Sequence, residues 1–198
     1  MAALCDCANY DHLIIFKMLK KEILVKKNRI YRGKAIDFLA DSVRVQNGKT
    51  AVREYTDHPG AAGALPVLPG NRVVLVRQYR YPAGKFTLEI PAGKLSRGEK
   101  PLACIKRELK EEAGLAAGKF ILLSKYQPSA AFSTETIYVY AALNLKHTGA
   151  KPDDDEFIEK MEFDLDEAVQ MVRKKKIGDS KTIIALLLWK DFLNGREF

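Results

Sequence analysis

Apolar and polar residues alternate with a period of two along the N-terminal part of the chain, as in strands with one buried face. The segment 35–45 shows this pattern, and 22–25 and 51–56 are further strand candidates beside it. Asn47-Gly48, between the segments 35–45 and 51–56, is a strong hairpin signal. These features predict a small antiparallel sheet. Residues 1–17 follow no clear period, which predicts a disordered tail or a mis-assigned start.

Continuous apolar runs replace the alternating pattern further along the chain. After a predicted connector at 58–63, a buried strand is expected at 64–68, closed by a turn at Pro69-Gly70-Asn71. The run 72–79 would be its hairpin partner, and a short strand is expected at 86–90.

One segment has helical periodicity and clear boundaries. Leu102, Ile105 and Leu109 are spaced to share one face of a helix over residues 101–113. Pro101 suits its first turn and Gly114 its end.

The C-terminal part predicts further strands and two helices. Strands are expected at 120–125, 136–143 and 160–163. Helices are expected at 166–175, with acidic residues early and lysines late, and at 180–193, with Ser180 as N-cap and Gly195 beyond its end.

Length and composition fit one globular enzyme. The chain has 198 residues, of which 47% are hydrophobic, so it can bury a core of its own. The longest apolar run, 183–189, is too short to span a bilayer. We therefore expect an α/β (α+β) protein with a small β-subdomain at 18–62 and a catalytic domain at 63–198.

The net charge of +8 is compatible with nucleic acid, an acidic membrane surface or a small anionic substrate. The basic residues cluster at 17–32 and 174–176 with few aromatic residues between them, which argues against nucleic acid.

Cys5, Cys7 and Cys104 are too few for a disulfide framework, so a reducing cytoplasm fits best. Neither these cysteines nor the three histidines have metal-site spacing. The histidines are His12, His58 and His147.

Candidate chemistry lies in the segment GKLSRGEKPLACIKRELKEEAGL, which begins at Gly93. Glu108, Glu111 and Glu112 fall on one side of one helical turn and repel one another unless a cation lies among them. Carboxylates together with substrate phosphates are the usual environment of magnesium. The alternative is a solvated face whose glutamates pair with nearby basic residues. The flanking glycines and Glu99 favour the metal site.

The segment matches G-x5-E-x7-R-E-U-x-E-E-x-G-U, with U aliphatic, at every fixed position and therefore resembles the Nudix box. The resemblance implies an α/β/α sandwich and hydrolysis of a diphosphate with Mg²⁺, for which Mn²⁺ could substitute. It also implies that Glu108, Glu112 and the Ala92 carbonyl bind the metal. Glu111 would be a ligand or base, and Arg107 would orient a glutamate.

Strings outside the box resemble the ADP-ribose pyrophosphatase subfamily. They include VRQYRYP, LEIPAGKL, YQPSAAFSTE, DDDEFIE and DSKTIIALLL, although Ser129-Ala130-Ala131 replaces the usual Ser-Pro-Gly. The expected reaction converts ADP-ribose to AMP and ribose 5-phosphate. Glu156 is the implied base with Glu159 in reserve, and Glu89 is a possible water or metal contact. The implied substrate-binding residues are Arg80, Arg53, Glu54, Lys94 and Pro128.

The subfamily resemblance also implies a homodimer in which residues 18–62 pack on the partner. Two alternatives remain open. The first is another nucleoside diphosphate sugar, such as GDP-mannose. The second is a non-catalytic regulator that binds ADP-ribose or nucleic acid, although the usual mark of such a protein, a broken box, is missing here.

Overall fold

The computed structural model describes residues 20–149 and 157–196. The chain divides into two compact units, one ending at Asp57 and one beginning at His58. This division falls a few residues before the 62/63 boundary expected from the sequence. The first unit contains four strands, namely β1 (Ile23–Lys26), β2 (Arg29–Arg32), β3 (Asp37–Arg44) and β4 (Thr50–Asp57).

Strand β3 organises the first unit because all three other strands pair with it in antiparallel fashion. Gly48 in the β3–β4 connection has a φ of 83°, as the predicted Asn-Gly turn requires. Leu39, Asp41 and Val43 alternate into the buried face of β3. Asp41 is compensated by hydrogen bonds from the Asn28 amide and the Tyr55 hydroxyl, both at 2.8 Å.

The second unit is built on a mixed seven-stranded sheet with the central order β11-β6-β5-β10-β9. Strands β5 and β10 run parallel, while β7 pairs with β6 and β8 pairs with β5. The strands are β5 (Ala61–Leu68), β6 (Arg72–Arg80), β7 (Lys85–Glu89), β8 (Ala92–Lys94), β9 (Leu115–Tyr126), β10 (Ile137–His147) and β11 (Glu159–Asp164).

Helices cover both faces of this sheet, which confirms the expected α/β/α sandwich. Helix α1 (Pro101–Ala113) packs in a cluster with Ala64, whereas α2 (Leu165–Arg173) and α3 (Ser180–Leu193) pack in a cluster with Leu65. These neighbours in β5 face opposite sides because side chains alternate along a strand. In the described part of the chain, no helix is long and apolar enough to cross a membrane.

Several details differ from the sequence-based expectation, among them the start of β9 at Leu115 instead of 120. Strand β5 begins at Ala61, so the end of the predicted connector is part of the sheet. The short strands β2 and β8 were not predicted, since four and three residues carry too little periodicity to be recognised. The N-cap of α3 is Asp179, not Ser180, because the Asp179 side chain accepts from the Thr182 amide at 3.0 Å.

Candidate active site

Helix α1 presents a row of carboxylates toward the sheet. The helix begins with Pro101 in its first turn and ends at Gly114, whose φ of 64° gives a left-handed C-cap, as predicted. Glu108 and Glu112 are buried among the apolar residues of this face, with 9% and 6% of their surface exposed. Buried carboxylates need compensating partners or a cation.

Arg107 holds two of the three clustered carboxylates. Its Nη1 atom donates to Glu108 at 2.6 Å and to Glu111 at 2.9 Å. Its Nη2 atom lies 3.3 Å from Glu99 in the preceding loop. Burial opposes the charge of Arg107, but the Glu99 hydrogen bond and the Glu108 charge raise its pKa above the ordinary value. Arg107 therefore joins the box helix to the box loop.

The loop before α1 fits closely against Glu108 and Glu112. A Cβ atom at Gly93 would lie 1.8 Å from Oε1 of Glu108, so only glycine leaves room for that carboxylate. The Ala92 amide donates to Oε2 of Glu112 at 2.9 Å. The Glu99 carboxylate accepts from the Ser96 amide at 2.9 Å, which closes the loop on itself. These contacts explain the fixed glycine and glutamates of the box.

Glu112 opens onto a pocket of about 280 Å³, which we call the box pocket. Of the residues expected to contact substrate, Arg80 and Lys94 line it, and Ala92 and Gly93 are also part of the lining. The complete lining is His58, Ala61, Arg80, Ala92, Gly93, Lys94, Glu112, Glu135, Ile137 and Lys181.

A buried ion network connects the box pocket with the start of α3. Glu89, only 2% exposed, accepts from Nε and Nη2 of Arg80 at 2.8 and 2.7 Å and also contacts the Lys181 ammonium. Lys181 reaches Asp179 at 2.8 Å. Burial of Glu89 opposes its charge, but Arg80 and Lys181 lower its pKa to about 2. Glu89 is thus engaged by two cations, which accounts for its burial. The water or metal contact considered from the sequence stays a prediction.

His58 and Glu135 form a second polar pair at the box pocket. The His58 Nδ1 atom lies 3.6 Å from a Glu135 oxygen, and the Thr134 hydroxyl accepts from the His58 amide at 2.8 Å. Burial lowers the pKa of His58, partly offset by the charge of Glu135. The pair spans 77 positions of sequence, so no local pattern predicts it; its only signal was Glu135 at the end of YQPSAAFSTE.

The donor set at Glu108 and Glu112 has the chemistry of a hard-cation site, since carboxylate oxygens are the ligands that magnesium and manganese prefer. Among residues 20–149 and 157–196, however, no three His, Cys, Asp or Glu side chains are grouped closely enough to hold a metal by themselves. Glu111 faces Arg107 and is partly exposed. A cation here would need main-chain or phosphate oxygens to complete its ligands.

The other expected site residues are distributed more widely. Pro128 lies outside the box pocket and lines a neighbouring cavity. Arg53 and Glu54 belong to β4 of the first unit, where Arg53 forms an ion pair with Glu22. Glu156 falls outside the described residues. The reserve candidate, Glu159, is an exposed residue of β11 that pairs with Arg77 at 3.2 Å.

The folded box and the sandwich around it define a hydrolase of the kind the sequence suggested. The NUDIX domain family model matches residues 57–187, so the chain belongs to the Nudix family of hydrolases. Members of this family generally use a divalent metal.

Individual relatives agree with this assignment. The chain is 40% identical over 170 residues to a methanol dehydrogenase activator of Bacillus methanolicus, covering 85% of this chain and 92% of that protein. It is 36% identical over 168 residues to an ADP-ribose pyrophosphatase of Bacillus subtilis, covering 84% and 91%. A GDP-mannose pyrophosphatase of Yersinia pestis is 37% identical over 150 residues, covering 69% and 75%.

The fold also matches a solved structure described as an ADP compounds hydrolase. The TM-score is 0.78, with 89% of this chain and 96% of that chain covered. The sequence identity is 20%, so this likeness concerns the fold.

Proposed function

We propose that the protein hydrolyses ADP-ribose to AMP and ribose 5-phosphate with Mg²⁺ as cofactor. The observation that carries this proposal is the intact box, folded so that buried Glu108 and Glu112 meet a glycine loop beside a pocket lined by Arg80 and Lys94. The substrate class is supported by the flanking strings and by the ADP-ribose pyrophosphatase relative.

In this reaction, one bridging P–O bond of the diphosphate breaks and the oxygen of a water molecule bonds to phosphorus. When bound, the metal would neutralise charge developing on the phosphate oxygens and lower the pKa of a water. Glu108, Glu112 and the Ala92 carbonyl would hold it. Glu111 would serve as a further ligand or a base.

Arg80 is suited to one phosphate contact. Its Nε and Nη2 atoms are held by Glu89, and Nη1 has no hydrogen-bond partner among the described residues. A guanidinium fixed in this way can donate to a phosphate oxygen without losing further side-chain entropy. Lys94 would add a second positive charge at the same pocket.

Proton removal from the attacking water is assigned to Glu156. Its place in the acidic string from Asp153 matches the subfamily's loop glutamate, and such loop bases often reach the site only with substrate bound. Glu159 is the weaker candidate because it pairs with Arg77. Arg53, Glu54 and Pro128 complete the proposed substrate contacts, the first two across the proposed homodimer.

The test is release of AMP from ADP-ribose by the purified full chain with Mg²⁺, followed by chromatography. We expect turnover that stops with a chelator and returns with added Mg²⁺ or Mn²⁺. Absence of AMP with either metal would exclude ADP-ribose as a substrate.

The second candidate substrate is GDP-mannose, favoured by the Yersinia pestis relative. Side-by-side kcat/KM values on ADP-ribose and GDP-mannose discriminate the two, since the difference reports which base and sugar the transition state accepts. A larger kcat/KM for GDP-mannose would make GDP-mannose the proposed substrate in place of ADP-ribose. The proposed roles of the box residues would stay the same.

A further inference from the structure

A second cavity adjoins the box pocket in the same structural unit. It has a volume of about 630 Å³, more than twice that of the box pocket, and shares Arg80, Glu135, Ile137 and Lys181 with it. We call it the side cavity. One ligand can therefore extend from the box pocket into the side cavity without leaving the protein surface.

Positive charge dominates the side cavity. Five cationic side chains and three carboxylates line it, and the carboxylates are already engaged. Glu89 and Asp179 contact Lys181, and Glu135 faces His58. The remaining cations are Lys85, Lys175 and Lys176, and within the described ranges none of them forms an ion pair with a carboxylate.

The turn that carries Lys175 and Lys176 has a defined conformation. Lys175 adopts a φ of 60°, in the left-handed region that residues other than glycine seldom occupy. The amides of Lys175 and Lys176 donate to Val172 and Met171, both at 2.9 Å. Ile177 is buried in the core immediately afterwards. These two hydrogen bonds form the Schellman motif that ends α2, so the helix C-terminus fixes the backbone that carries the two lysines at the side cavity.

Ammonium groups beside a diphosphate site are suited to a further phosphate. Lysine recognises phosphate as a point charge and tolerates several geometries. A neutral sugar or base would gain little binding free energy from three nearby cations. The apolar members of the lining, including Leu88 and Pro128, can contact the rest of the same substrate half.

We infer that the side cavity binds the substrate half beyond the diphosphate and selects halves that carry an additional phosphate through Lys85, Lys175 and Lys176. This inference rests on the proposed diphosphatase function and narrows its substrate class. The preferred substrate is then a phosphorylated nucleoside diphosphate sugar.

The test compares kcat/KM for ADP-ribose with that for two phosphorylated forms, one with the phosphate on the adenosine ribose at the 2′ position and one with it on the terminal ribose at the 1″ position. We expect one form to exceed ADP-ribose by about fivefold, as two or three partly exposed ion pairs allow. The preference should shrink as salt is raised from low to high concentration. The preferred form shows whether the adenosine half or the terminal ribose half of the substrate occupies the side cavity.

Variants assign the preference to its residues. The triple variant K85Q/K175Q/K176Q should bring the ratio of phosphorylated to unphosphorylated kcat/KM close to one, and the double variant K175Q/K176Q should lower this ratio. The matched control is K174Q, which removes a neighbouring exposed lysine that does not line the side cavity and should keep the wild-type ratio.

The outcomes separate the two proposals. Hydrolysis of ADP-ribose without preference for either phosphorylated form would overturn the side-cavity inference and leave the proposed function intact. A preference that is undiminished in K175Q/K176Q, or that survives in K85Q/K175Q/K176Q, would also overturn it. Failure to hydrolyse all three compounds would contradict the proposed function itself, and the inference with it.

Discussion

At the scale of single residues, the burial of two carboxylates accounts for the fixed positions of the box. Glu108 needs the space left by Gly93, and Glu112 needs the Ala92 amide. Both carboxylates lie at the interface of helix and loop, where hydrophobic residues would pack without penalty. We assign both to the proposed metal site, so substitution should separate function from stability.

We expect Glu112→Gln to fold normally and to lose turnover by roughly 100-fold or more, since the proposed metal ligand is removed while the contact with the Ala92 amide persists. Steady-state kinetics with saturating Mg²⁺ measures the loss, and thermal unfolding checks the fold. Glu167→Gln is the control, because Glu167 is an exposed glutamate of α2. Equal turnover of the two variants would remove Glu112 from the metal site.

The buried Glu89 predicts a pH dependence of stability. Its pKa is lowered to about 2 in the folded protein, from an ordinary value of 4.5. The lowered pKa stabilises the fold above pH 4.5, and this contribution disappears as the pH falls from 4.5 toward 2. Glu89→Gln should cost about 3 kcal/mol at pH 7, because buried Lys181 and partly exposed Arg80 lose their charged partner.

Denaturant unfolding of the wild type and of Glu89→Gln between pH 7 and pH 2 measures this effect. The difference in unfolding free energy between the wild type and Glu89→Gln should decrease as the pH falls from 4.5 toward 2. Glu159→Gln, which removes an exposed ion pair, should change stability by less than about 1 kcal/mol at every pH. A Glu89→Gln penalty that stays constant with pH would refute the assigned ionisation.

At the scale of secondary structure, the start of α3 combines a helix cap with an ion pair that leads to the box pocket. Asp179 caps α3 and holds Lys181, whereas Asp164 caps α2 and accepts only from the amides of Asp166 and Glu167. Removing either cap should cost about 1 kcal/mol. Only Asp179 belongs to the chain of contacts that runs through Lys181 and Glu89 to Arg80.

Asp179→Ala and Asp164→Ala therefore form a matched pair. Both should lower the unfolding free energy through loss of a cap, and Asp179→Ala by the larger amount because buried Lys181 also loses a partner. Only Asp179→Ala should raise KM for ADP-ribose, because Lys181 and through it Arg80 lose support. Urea titrations and initial-rate kinetics provide the two readouts. Unchanged KM in Asp179→Ala would show that the network is structural only.

The predictability of each element followed from its length and regularity. Helix α1 was predicted with its bounds, because apolar spacing, an early proline and a terminal glycine all agreed. The Asn47-Gly48 hairpin had equally local causes. Strand β8 had no local signal, since its three residues are extended through pairing with β5. The cap of α3 was misassigned because aspartate and serine are adjacent and cap equally well.

The candidate site was partly predictable for the same reason. The box glutamates are close in sequence, so their clustering on α1 could be inferred from helical spacing. The contacts of Lys181 with Glu89 and of His58 with Glu135 join residues far apart in the chain. Only the folded sheet brings them together, and single-sequence patterns contain no distance information of that kind.

At the scale of the whole molecule, the first unit exposes more apolar side chains than a small sheet normally leaves in water. They include Ile23, Leu24, Val25, Ile30, Tyr31 and Val52, each more than half exposed. The subfamily resemblance assigns this unit to a homodimer contact. These side chains provide a chemical reason for such a contact.

Sedimentation equilibrium should therefore find a dimer at micromolar concentration. Leu24→Asp should shift the population toward monomer, because a buried charge in an apolar contact is strongly unfavourable. Lys49→Asp, in the exposed β3–β4 turn, is the control and should remain dimeric. A monomeric wild type would contradict the dimer proposal.

Cys104 has a practical consequence for studying motion at the box. Its thiol is fully buried in α1 and lies 3.5 Å from the Gly93 carbonyl and 3.6 Å from the Lys94 carbonyl. Burial raises its pKa to about 12, so the reactive thiolate is suppressed while loop and helix stay together. In a protein whose Cys5 and Cys7 are replaced by serine, a thiol reagent can label only Cys104. The labelling rate then reports how often the box loop separates from its helix.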